Sequence, residues 1–109
     1  MNKIPHDSII ITDIVGDCVK IMVSGKDLIN KMKSIGFFCS DESMILPVSD
    51  EKDKHGIINE LINEGALFLY GHGWYPSEVM EYYKEQKINF GRYKIIYWTD
   101  KDTYHIEER

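Results

Sequence analysis

Apolar positions in this chain recur with two periods, and the switches between them divide it into elements. Ser8 to Val15 (SIIITDIV) and Cys18 to Val23 (CVKIMV) are β-rich runs separated by Gly16-Asp17. Glycine at the first central position is what a two-residue type II′ turn takes, so an N-terminal hairpin is predicted. Alternation in its second arm sets Val19, Ile21 and Val23 toward the core and Cys18, Lys20 and Met22 away from it. The period then lengthens. In SGKDLINKMKSIG, Leu28, Ile29, Met32 and Ile35 share a helical face, with Ser24 as the cap and Asp27 reaching back to it. Gly36 supplies the left-handed stop.

Phe37 to Cys39 and Ser43 to Val48 return to strand character as a second hairpin around Ser40-Asp41-Glu42, with Pro47 marking an edge position or a strand end. Residues 49 to 54 (SDEKDK) read as an exposed, charged lead-in to a second helix. Its Ile57, Ile58, Leu61 and Ile62 keep the amphipathic spacing until Gly65. The stretch GALFLYGHGWYPSEVMEYYKEQ, Gly65 to Gln86, reads as a central strand (Ala66 to Tyr70), a turn in which Gly71 and Gly73 bracket His72, and a third helix from Pro76. Val79, Met80 and Tyr83 fall on one face of that helix. Tyr93 to Thr99 is the strongest strand by composition, and Asp100 to Asp102 turn the chain into a last arm, Thr103 to Glu107. Tyr93, Ile95 and Tyr97 point to one side of it; Lys94, Ile96 and Trp98 point to the other. The predicted fold is α+β: a mostly antiparallel sheet built from hairpins with about three helices packed on it, in the order ββαββαβαββ.

Length changes this picture little. At 109 residues the chain is expected to form a single domain, residues 1–109, with a core that needs no staples. No apolar run approaches the ~20 residues of a membrane helix, and MNKIPHDSIII lacks the features of a secretory signal; a cytoplasmic protein is expected. The two cysteines, Cys18 and Cys39, have no CxxC spacing and are expected as reduced thiols in or near the core.

Charge narrows the partner. Thirteen Lys and Arg against eighteen Asp and Glu give a net charge of -5, a sign that repels nucleic-acid backbones and suits a basic protein. The four histidines, His6, His55, His72 and His105, show no metal-ligand spacing, and no metal or cofactor is expected. A thiol nucleophile with His72 as its base has no supporting context around Cys18 or Cys39. Ser24-Gly25-Lys26 lacks the spacing of a phosphate loop.

Aromatic residues are unevenly placed. All seven tyrosines and both tryptophans lie after residue 69, and Tyr and Trp dominate protein-binding hot spots. Trp74, Tyr75, Tyr97, Trp98 and Tyr104 are therefore candidate anchors. Two acidic sets accompany them: Asp41, Glu42, Asp50, Glu51 and Asp53, and then Asp100, Asp102, Glu107 and Glu108. If the sets meet in space they form a surface for Lys and Arg. In size and charge sign the chain is similar to bacterial immunity proteins, which neutralise toxins, often basic nucleases, by covering or distorting the active site. The leading expectation is a non-enzymatic inhibitor of that kind. The alternative is a small-molecule-binding domain or small enzyme with a pocket at the Gly71–Tyr75 turn, where His72 is the polar group and Trp74 and Tyr75 are the walls.

Overall fold

Seven strands form one sheet in the order β3-β4-β2-β1-β5-β6-β7. They are β1 (Ser8–Asp13), β2 (Cys18–Ser24), β3 (Phe38–Ser40), β4 (Ser43–Pro47), β5 (Leu67–Leu69), β6 (Lys94–Trp98) and β7 (Tyr104–Glu108), with helices α1 (Lys26–Ile35) and α2 (Glu51–Asn63). This computed structural model describes residues 7–14, 17–40, 43–69, 81, 84–85, 93–99 and 103–108. The described elements run ββαββαβββ. The third helix expected from Pro76 lies outside them except at Glu81, Lys84 and Glu85, which are helical.

The sheet is mostly antiparallel, as expected, but it is mixed rather than built from hairpins alone. β5 runs parallel to β1 on one side and to β6 on the other. Ala66–Tyr70 reads as a central strand because it is apolar on both faces. That same feature marks strands of parallel sheets. Its three residues are LFL, with Leu67 and Phe68 buried.

Both faces of the sheet carry apolar side chains. Ile9, Ile11, Val19, Ile21, Met44, Phe68 and Ile95 join Met32 of α1 and Ile58 and Leu61 of α2 in the main core. Ile10, Leu67 and Ile96 form a second buried cluster on the other face, with Met22, Leu69 and Trp98 against it. The predicted inward set of β2 is borne out, since Val19 and Ile21 are fully buried and Val23 packs on the core.

Several local predictions are corrected. In the first hairpin β1 ends at Asp13 rather than Val15, and its register shifts between Ile11 and Asp13; Val15 and Gly16 of the expected turn lie outside the described residues. Thr12 Oγ1 donates to the Lys20 carbonyl at 3.0 Å beside that irregularity, and Ile14 is buried. Ser24 is not a cap, because it remains in β2 opposite Ser8. Gly25 is the α1 N-cap, at φ 116°. A β-carbon there would stand 2.5 Å from Asp7 Oδ1, so both the backbone conformation and the neighbour require glycine. Gly36 does end α1, at φ 127°, with Phe37 N–H returning to the Met32 carbonyl. Pro47 marks the end of β4, which lies inside the sheet rather than at its edge.

Candidate functional site

Helix α2 begins where the sequence seemed to provide only a lead-in. Asp50 is its N-cap, and the carboxylate accepts the Asp53 N–H at 3.1 Å. Glu51 and Asp53 fill the first turn, where the positive end of the helix dipole favours them. His55 Nε2 lies 3.4 Å from Glu51 Oε2, one turn along. The charged run is not wholly exposed, however. Lys54 is 2% exposed and donates from Nζ to the Ile14 carbonyl at 3.0 Å. Lys54, Ile58 and Leu61 are the buried residues of the helix, spaced i, i+4, i+7. That spacing was the signal for Lys54: it heads the apolar face, and burial forces its amine onto a carbonyl at the end of β1.

The Lys54 contact fixes the start of α2 at one end of the sheet, the end where parallel strands β1, β5 and β6 finish. Asp17 belongs there as well, since its carbonyl accepts the Val48 N–H at 2.8 Å. Asp50, Glu51 and Asp53 are exposed, as is Asp17, while Asp13 is half-buried. Lys52 is the exposed cation among them. The tip of the last hairpin lies at this same end, closed by Thr99 N–H to the Thr103 carbonyl at 2.9 Å and by Thr99 Oγ1 to that carbonyl at 3.2 Å. From β1 to β7 there are three strand spacings, roughly 14 Å at ~4.8 Å each. An interface of ordinary size, roughly 800 Å² per partner, spans that distance.

Of the first acidic set, only Asp50, Glu51 and Asp53 fall among the described residues. Asp41 and Glu42 lie outside the described residues. Asp100 and Asp102 also lie outside the described residues, as do Trp74, Tyr75 and His72.

In the last hairpin the aromatic residues pair across strands. Tyr97 stacks on His105, with ring centroids 4.9 Å apart and planes 10° from parallel. Trp98 meets Tyr104 edge-on at 5.0 Å. The predicted alternation holds, and it divides the proposed anchors between the faces. Tyr97 packs against the helix-covered core, whereas Trp98 packs against the second cluster and shares its face with Tyr104 and Ile106. Tyr104 is 38% and Ile106 45% exposed. Ile106 had been read as one more strand position; its exposure follows from β7 standing at the sheet edge. Tyr97 is thus not part of one flat patch with Trp98 and Tyr104.

Cys18 and Cys39 are free thiols; Cys39 is exposed rather than near-core, because it lies in edge strand β3. Among the described residues no three His, Cys, Asp or Glu side chains are grouped to hold a metal ion, and no helix is long and apolar enough to cross a membrane. A cavity of about 120 Å³ opens beside Ile62, Gly65, Tyr93, Lys94 and Glu108, well below the roughly 300–1,000 Å³ of typical small-molecule sites. Comparison of the chain with protein-family models, with curated proteins and with solved structures gave no match.

Proposed function

We propose that this protein is a small acidic inhibitor of the immunity type, which binds a basic, nuclease-like toxin and blocks its active site. The observation that supports this reading is the last hairpin: Tyr104 and Ile106 stand exposed on one face beside Trp98, at a sheet end that also carries Asp17, Asp50, Glu51 and Asp53. Aromatic and aliphatic groups of this size supply binding energy when they enter a partner's pocket. Carboxylates at the same end of the sheet steer a cationic partner and accelerate encounter, by an amount that falls as salt screens the charges. No reacting group enters this account; binding alone performs the function.

Affinity capture from host lysate with stepped salt elution, followed by association kinetics on the captured protein, tests the proposal. One basic protein retained in equal amount, with its activity blocked on binding, is the expected result. The double variant Glu51→Gln, Asp53→Asn should slow association several-fold at low salt, and Tyr104→Ala should speed dissociation. Retention of no basic protein, or association indifferent to both salt and the double variant, argues against an inhibitor of this kind.

A further inference from the structure

The apolar face of α2 has an amine in the middle of it. At about 100° per residue, Lys54 projects within about 20° of Leu61 and about 40° of Ile58, inside the arc bounded by Ile57 and Ile62. Ile58 and Leu61 are fully buried, and Ile57 and Ile62 pack against the main core. Methionine would suit this position, being apolar, unbranched and of similar length. The chain has Lys54 instead, 2% exposed, with Nζ donating to the Ile14 carbonyl at 3.0 Å.

Stability gives no reason for that choice. Taking an amine out of water costs free energy that hydrogen bonds inside the protein return only in part. Exchanging such a group for a well-packed apolar one is often neutral or stabilising. Direction is what the amine adds. Burial of Ile57, Ile58, Leu61 and Ile62 is non-directional, so small rolls and slides of α2 bury nearly the same surface. The carbonyl that Lys54 meets is a fixed point, since Ile14 directly follows Asp13, the last paired residue of β1. The far end of α2 has a weaker restraint: Lys31 pairs there with Glu64, and both side chains are partly exposed.

We propose that Lys54 sets the placement of α2 on the sheet rather than the stability of the fold. The bond from Nζ to the Ile14 carbonyl selects one roll and one axial position, and with them where Asp50, Glu51 and Asp53 stand relative to Asp17. Lys54 is in this sense a positioning residue for the acidic end of the molecule. The inference does not depend on the inhibitor reading, and its test involves no other protein.

Lys54→Met keeps the apolar stem and removes the amine. Its thermal midpoint should equal or exceed that of the parent chain. Methyl relaxation dispersion by NMR, which reports exchange between placements on the μs–ms scale, should be quiet at Ile58 and Leu61 in the parent and appear at both in the variant. Ile10 and Ile96, buried on the other face of the sheet, should stay quiet in both. A merely stabilising contact gives the opposite pair of results, a lower midpoint and no exchange confined to α2. A variant that fails to fold or melts many degrees lower would overturn the proposal, because the amine would then be holding the fold itself. Quiet Ile58 and Leu61 methyls in a folded variant would overturn it too, since the apolar face alone would then place the helix.

Discussion

The two edges of the sheet are built differently. β3 is three residues long and packs by a tight hairpin on β4, whose Met44 and Leu46 join the helix-covered core. Its one large exposed side chain is Phe38, at 49%. β7 is longer, regular and exposed along its whole length. A short edge offers less backbone for pairing with other chains than a long regular one. The lesson is that exposure of apolar side chains alone does not mark a binding edge. Phe38 is more exposed than Tyr104, yet only Tyr104 belongs to a strand long enough to offer a ladder.

Substitutions can break or sharpen that contrast, beginning at the strand both halves share. Phe68 is fully buried in β5 and meets the Tyr93 ring edge-on at 5.7 Å. Phe68→Ala should cost about 3–5 kcal/mol in urea unfolding, and it should loosen β3 and β7 together. Exchange that accelerates at one edge alone would show that the halves are stabilised separately. Gly25→Ala comes next, at about 1–3 kcal/mol, because it forces a side chain into a positive-φ position already crowded by Asp7. Its effect should fall on α1 and the strands beneath it, as measured by thermal unfolding with residue-resolved exchange.

Removal of a cap is milder. Asp50→Ala should cost about 1 kcal/mol and lower the melting temperature by a few degrees; no change would mean that the Asp53 N–H finds another acceptor as good. The smallest effects are the most discriminating. Phe38→Ser and Tyr104→Ser should each alter stability by less than about 1 kcal/mol, since both side chains are substantially exposed. Only Tyr104→Ser should weaken association with a basic partner. Equal loss from both would erase the distinction between the edges.

Much of this arrangement was legible in the residues themselves. Period-two alternation assigned Val19 and Ile21 to the core and divided Ile95 and Tyr97 from Ile96 and Trp98. The apolar spacing of Ile57, Ile58, Leu61 and Ile62 announced α2, and Gly36 announced the end of α1. Local signals failed where a distant residue altered the choice. Ser24 has the chemistry of a cap but is held in β2 by Ser8, so Gly25 takes the cap position against Asp7. Lys54 sits in a charged run, yet the helix phase turns it inward to the Ile14 carbonyl. Of the candidate anchors among the described residues, Tyr104 and Trp98 share a face as neighbours, and Tyr97 lies on the other.

By itself the sequence determined which side of each element is apolar, because side-chain direction repeats with a period set by local backbone geometry. It also determined the charge sign and the strand character of the last hairpin. Only the tertiary structure decided that β5 lies parallel between β1 and β6, that the start of α2 and the ends of the last two strands share one end of the sheet, and that β7 stands last in the strand order. Those outcomes depend on which strands meet, and strand pairing joins residues far apart in the chain. Periodicity fixes a strand's two faces; its neighbours are chosen by the collapse of the whole core.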